Sequence, residues 1–356
     1  MRLWVPAVAR VRRGRGASPP PPNGGEPTWA EPITISAGGV YEGAWDSPDT
    51  TPAVTITTSE AVTVRGHARG YGHLVSAVGA TKQNITLEDM TLTSLGYGRA
   101  LQGDMLNSLV IQRCDLVNTR GVYLHESSNG SVSITNNRVR DIGRFGSNAD
   151  PYNQFVQFDK SQDMSGSIAW NEVINAPGAS RTEDVINFFD SGGTTSAQYI
   201  IERNFVRGAY PENALTDAFS GGGILVGDYG HGYTTVRDNV VIDTLNYGVA
   251  IAGGRGNRLN DNLVLGLNQV DGQYAAGANI GAYIWHQVGA GENAGDNGGD
   301  GNSIAWFNSD GNRNDAWMPD ADFWTNTTAL SDPTAQALTD AHDDWLAAAR
   351  AQGWPW

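Results

Sequence analysis

The 356 residues contain one cysteine, Cys114, and only two lysines, Lys82 and Lys160. A single cysteine excludes an intramolecular disulfide, although many secreted chains of this size also have none. No window comes near the ~18 apolar residues of a membrane helix, so no membrane partner is expected. Cations are scarce as a class: 23 Lys and Arg stand against 38 Asp and Glu, a net charge of −15. Five arginines (Arg2, Arg10, Arg12, Arg13 and Arg15) fall in residues 1–16, which hold no acid. The remainder has 18 cations against 38 acids, or −20. A body this acidic is a poor partner for nucleic acid.

The N-terminus gives no clear secretory signal. In "MRLWVPAVARVRRGRG" the apolar stretch is short, and arginines follow where a small-residue cleavage site would stand. "ASPPPPNGGEP" then reads as a stiff exposed linker. Residues 1–27 are expected to lie outside the fold.

Glycine is abundant, at 45 residues, so turns are many. A pattern recurs between them: aliphatic, two residues, Asn, one residue, aliphatic. It appears as "ITNNRV" (134–139), "IAWNEV" (168–173), "IERNFV" (201–206), "VRDNVV" (236–241) and "LNDNLV" (259–264). Two earlier copies, "LEDMTL" (87–92) and "IQRCDL" (111–116), keep the frame with Met90 and Cys114 in the Asn slot. The slot recurs at spacings of 23 to 35 residues, from Met90 through Cys114, Asn137, Asn171, Asn204 and Asn239 to Asn262. Periods of this length, with short apolar strands and glycine-rich turns, indicate a β-solenoid.

A second strand precedes each copy: "VYLHE" (122–126), "VQFDK" (156–160), "INFFD" (186–190), "ILVGD" (224–228) and "VAIAG" (249–253). Alternation turns Val122/Leu124, Val156/Phe158, Ile186/Phe188, Ile224/Val226 and Val249/Ile251 inward. Stacked coils place equivalent residues in columns. An Asn column can hydrogen-bond along itself and to the turn backbone, which accounts for buried amides in strands. Cys114, in that column, reads as a buried filler.

These features resemble the right-handed parallel β-helix superfamily typified by pectate and pectin lyases, over roughly residues 33–310. The expected fold is therefore all-β: a single-stranded right-handed parallel β-helix with an Asn ladder over 28–310. Residues 311–356 would form a C-terminal cap. Its helix lies within 331–353, capped by Ser331 or Asp332, started by Pro333 and stopped by Gly353. Leu338, Ala341, Trp345 and Ala349 form its apolar stripe. It would serve as a lid on the solenoid or as a brace along its side.

Coil length points to a site. Three consecutive coils are longer by insertions after the Asn strand, at 140–153, 174–184 and 207–223. Loops at one corner of adjacent repeats wall a groove suited to an extended polymer. Tyr123, His125, Gln157, Asp159 and Asn187 face outward beside it, with Phe189 and Leu225. The loops add Arg144, Asp150, Tyr152, Arg181, Glu183, Asp184, Tyr210 and Asp217. A strand-end column of Glu126, Lys160, Asp190 and Asp228 is expected, with Asp159 able to take the place of Lys160.

The resemblance implies carbohydrate processing outside the cytoplasm, extracellular or periplasmic, by a monomer acting on a polysaccharide or oligosaccharide. Three readings follow. The leading one is a lyase that cleaves acidic polysaccharide by β-elimination, with Lys160 as base and Arg181 as neutraliser or acid. That pair is similar to the Lys/Arg pair of alginate and chondroitin lyases. Ca²⁺ on Glu126, Glu183 and Asp184 would support it. The second is a glycoside hydrolase, with Asp190 and Asp228 as paired carboxylates. "GHG" at 230–232 is similar to a motif of polygalacturonases and brings His231 into this reading. The third is a non-catalytic carbohydrate-binding or surface β-helix protein. Tyr123, His125, Arg144, Gln157, Asp159, Asn187, Tyr210 and His231 are the substrate-binding candidates throughout.

Overall fold

A computed structural model describes residues 27–79, 82–146, 153–218, 221–287 and 294–356. Asp150, Tyr152 and nearly all of the N-terminal segment lie outside them. The described chain is a parallel β-helix. One 11-stranded parallel sheet runs from Ile33–Ile35 to Ala316–Trp317, one strand per coil. Nineteen further strands form a second parallel sheet that bends at the asparagine corner, and Gln269–Val270 and Gln273–Tyr274 pair as a small antiparallel hairpin. Pairing continues past residue 310, through Phe323–Thr325 and Thr328–Ala329, so the solenoid extends into the segment expected to be cap. No helix among the described residues is long and apolar enough to cross a membrane.

The inward columns are those that strand alternation predicts. Val122, Val156, Ile186, Ile224 and Val249 share one register; Leu124, Phe158 and Phe188 share another, and beyond a register shift after Asn187 it is followed by the Val226–Ile251 pair; all are buried. Phe158 and Phe188 lie 4.5 Å apart between ring centroids, and Tyr199 packs edge-on to Phe158 at 5.4 Å. Full burial of each such side chain stabilises the solenoid by about 1.5–3 kcal/mol.

The ladder runs Asn137, Asn171, Asn204, Asn239, Asn262 and then Asn302. Each Nδ2 donates to the Oδ1 of the next rung, at 2.8–3.1 Å. Each Oδ1 also accepts the backbone N–H of the preceding rung, as Asn204 does from Asn171 at 3.1 Å. Cys114 continues the column. Its N–H donates to Asn137 Oδ1, and burial pushes its thiol up to about 12. Asn302 escapes the repeat pattern because Gly299 fills the aliphatic slot. A Cβ there would come within 2.3 Å of the Trp324 ring, which fills the space itself.

The residue before each rung is left-handed. Asp89, Arg113, Asn136, Trp170, Arg203, Asp238 and Asp261 have φ of 53–57°. A second corner follows the same rule at the end of the 11-stranded sheet. There Glu126, Lys160 and Asp190 (φ 50°, 51° and 42°) each precede a buried serine. Ser127, Ser161 and Ser191 form a short serine ladder, in which each hydroxyl accepts a backbone N–H from the previous coil.

The helix α1 (Ala335–Ala351) buries Leu338, Ala341, Trp345 and Ala349, the expected stripe. Its N-cap is Thr334, whose hydroxyl accepts from Ala337 N–H, two residues beyond the nearer expected cap. The stripe lies on outward-facing Phe205, Ile242, Leu265 and Ala305, so α1 braces the side of the solenoid. Trp345 Nε1 donates to Arg203 O at 2.8 Å, and His342 stacks on Phe205 while its Nε2 lies 2.7 Å from Glu172.

Candidate functional site

The outer face of the 11-stranded sheet carries three rows of side chains. The middle row reads Tyr123, Gln157, Asn187, Leu225, Ala250, Tyr283 and Trp317. On one side of it run Asp184, Gly222, Tyr247 and Ile280. On the other run Asp104, His125, Asp159, Phe189 and Asp228.

Asp184 and Asp228 stand on opposite sides of Asn187, and its amide joins them. Asn187 Nδ2 donates to Asp184 Oδ2 at 2.9 Å and to Asp228 Oδ2 at 3.1 Å. The two N–H bonds of an amide nitrogen diverge by about 120°, which puts the two carboxylate oxygens about 5 Å apart. Tyr247 donates to the other oxygen of Asp184, and Gln287 Nε2 donates to Asp228 Oδ1 at 2.5 Å. Asp184 is 5% exposed.

The pair sits at the edge of a small apolar cluster on the outside of the solenoid. Leu225, Tyr247, Ala250, Ala252 and Ile280 form it, with Tyr283 packed against them. This setting explains the electrostatics. Burial raises the Asp184 carboxyl to about 6, with the nearby Asp228 charge adding to the rise. The Tyr247 and Asn187 hydrogen bonds pull the other way. Burial also raises Asp228, against its hydrogen bonds from Asn187 and Gln287. Tyr247 and Tyr283 are pushed well up, first by burial and then by the carboxylates.

Gly222 makes the geometry possible. It lies between Asp184 and Tyr247 in register, and a Cβ there would stand 2.1 Å from the tyrosine Cζ. The missing side chain lets the Tyr247 ring cross one coil and reach Asp184. Ala250 leaves similar room in the middle row, where the Tyr283 ring meets Tyr247 at 5.2 Å, edge to face.

Several expected sites are arranged differently. Asp190 and Asp228 do not share a column: Asp228 is in register with Phe189, and Asp190 occupies the left-handed corner beside Lys160 and Glu126. Asp159, not Lys160, lies in the column of Asp228. The Asp190 carboxylate accepts from Gln162 at 2.9 Å. Lys160 is exposed at the C-terminal edge of the sheet, whereas Arg181 precedes Asp184 at the N-terminal edge. The two ends of the strands separate them, so the expected base and acid are not brought together. Arg181 donates to Ser180 O at 2.7 Å and lies 3.8 Å from Glu212.

The expected metal set is likewise divided. Glu126 is at the exposed corner, Glu183 accepts from Gln154 at 2.7 Å, and Asp184 is engaged as above. Among the described residues no group of three or more His, Cys, Asp or Glu could hold a metal ion. Tyr210 is buried beneath its loop with Ala214, Leu245, Ala275 and Ala278, so it packs and does not face the groove. His231 Nε2 lies 2.8 Å from Gly193 O and ties two turns together. Arg144 is exposed in the first long loop.

Tyr123, His125, Gln157 and Asp159 do share the outer face with the pair. The Tyr123 hydroxyl bonds Asp159, its ring lies under Arg99 at 4.4 Å, and Gln157 donates to Asn187 at 3.3 Å. Gln287 was not among the expected residues, and Tyr247 and Tyr283 were expected only as aromatics able to stack on sugar, not as neighbours of the carboxylates. Counting two residues back from Ile186, Ile224 and Val249 would have aligned Asp184, Gly222 and Tyr247.

No family model matches the chain, and no curated protein matches it. A solved structure found to be similar is described as a mannuronic acid specific polysaccharide family 6 lyase enzyme from human gut microbiota. It is 11% identical, with a TM-score of 0.21, over 88% of this chain and 84% of that one. A likeness at that level carries no argument about the site.

Proposed function

We propose that the protein is a glycoside hydrolase whose working groups are Asp184 and Asp228. The observation behind this reading is the Asn187 bridge, which holds two carboxylates about 5 Å apart, the separation typical of retaining glycosidases. The two environments differ as a hydrolase requires. Asp184 is the more deeply buried and, at about 6, the one able to carry a proton near neutral pH; it is the acid. Asp228 is partly exposed and takes two amide hydrogen bonds; it is the nucleophile. Asn187 keeps the two at fixed separation, and Tyr247 orients Asp184.

In this reaction Asp184 gives its proton to the glycosidic oxygen as that bond breaks. Asp228 forms a bond to the sugar carbon. Asp184 then takes a proton from water, which displaces Asp228. The β-elimination reading loses its support with the separation of Lys160 and Arg181. Incubation with a panel of neutral glycans and polyuronates tests the proposal. Hydrolysis yields new reducing ends without the ultraviolet absorbance of an unsaturated sugar, and the first-formed product keeps the anomeric configuration of the substrate. Unsaturated products, or no cleavage across the panel, would overturn it.

A further inference from the structure

We propose that a cleft next to the carboxylate pair is a subsite for an uncharged sugar unit, so that the glycan is neutral at that position. The cleft encloses about 580 Å³. Trp285 and Trp317, 39% and 51% exposed, form its aromatic wall with ring centroids 6.0 Å apart. Tyr283 continues that wall, and Asn246, Asn279 and Asn314 supply amides around it.

Three observations favour a saccharide. Large exposed aromatic rings beside uncharged amides match the alternating apolar faces and hydroxyl edges of a pyranose. The amides are themselves ordered: Asn279 Nδ2 donates to Asn246 Oδ1 at 3.3 Å, and Asn314 Nδ2 to Asn279 O at 2.9 Å. The cleft also neighbours the pair: Tyr283 lines it and packs on Tyr247, the residue that bonds Asp184.

Charge then selects among sugars. None of the residues lining the cleft is charged. The nearby cation, Arg313, is held by Asp315 and Asp332, each at 2.7 Å. A uronate bound here would bring a carboxylate toward Asp184 and Asp228 with no cation among the described lining residues to offset it, which costs free energy. A neutral unit meets no such cost. The inference deepens the hydrolase reading and relies on it only for where the scissile bond lies.

The test is binding to the full chain carrying Asp228→Asn, which does not turn substrate over if the hydrolase reading holds. Gluco-, manno-, galacto- and xylo-oligosaccharides are compared by calorimetry with an oligouronate of equal length. At least one neutral oligomer is expected to bind more tightly than the oligouronate. Trp285→Ala and Trp317→Ala should each weaken it by about tenfold, and Trp317→Phe much less. Both tryptophans are exposed, so thermal unfolding should stay unchanged and report intact folding. Equal affinity for the oligouronate, unchanged affinity in the Ala variants, or no neutral oligomer bound would each overturn the subsite. Trp-dependent binding by a wild-type chain that hydrolyses nothing would retain the subsite and remove the hydrolase.

Discussion

The Tyr247 hydroxyl donates to Asp184 across an intervening coil, passing over Gly222. One missing Cβ therefore links residues 63 positions apart in sequence. The hydrogen bond favours the ionised form of Asp184, while burial opposes it. Asp184 is thereby held near 6 and not higher.

A pH dependence of stability follows. The Asp184 carboxyl rises from 3.8 to about 6 on folding. Between those values the folded chain binds more protons than the unfolded chain, so stability falls as pH rises through that window. The contribution is fully present below pH 4 and is lost above 6; a shift of this size corresponds to about 3 kcal/mol. Asp228 and Asp243 are also raised by burial and act with the same sign. His67 and His73 are lowered by burial and act with the opposite sign over the same window. The Asp184 contribution is therefore read as a difference in denaturant unfolding: relative to Asp184→Asn, the wild type should lose stability between pH 5 and pH 7, and Asp184→Asn should be the more stable protein at pH 7.

Tyr247→Phe removes the donor and keeps the ring. Asp184 should then titrate at higher pH, because an interaction with its charged form is lost. In a pH–rate profile the alkaline limb should move upward. Gly222→Ala should give a related result by a different route. Its Cβ would stand 2.1 Å from the Tyr247 ring, forcing the ring away at a cost of about 1–3 kcal/mol in stability. An unmoved limb in both variants would separate Tyr247 from Asp184.

The central rung of the asparagine ladder should be among the costliest positions to truncate. Asn204 Nδ2 donates to Ile168 O at 2.9 Å and Asn239 Oδ1 at 3.0 Å, while its Oδ1 accepts from the backbone and amide nitrogens of Asn171. Asn204→Ala leaves these buried groups without partners. We expect about 2–4 kcal/mol of destabilisation in urea unfolding, from unsatisfied groups at ~1–3 kcal/mol each. Loss of less than 1 kcal/mol would mean that water or a neighbour replaces the amide.

The solenoid was legible because a repeat reports itself many times. The asparagine slot, the inward columns and the α1 stripe each rest on several residues with one physical demand. The site was less legible. Asp184 was a candidate, but as a metal ligand, because nothing in "RTEDVINFFD" shows that Tyr247 will cover it. That contact depends on the absence of a side chain at Gly222. Asp190 looked stronger because it ends an apolar run. Its left-handed φ of 42° turns it into the corner, with Lys160 and Glu126 at equivalent corners. Strand alternation sets the direction of residues within a strand and stops being a guide where the backbone turns.

The carboxylate pair itself is tested most directly by comparing three variants on a glycan that the wild type cleaves. Asp184→Asn and Asp228→Asn should each lower the rate by about a hundredfold or more while remaining folded. Lys160→Ala, at the exposed corner, should leave the rate within about twofold, as expected of a surface position. Full activity in either Asn variant, or loss of activity in Lys160→Ala, would contradict the account.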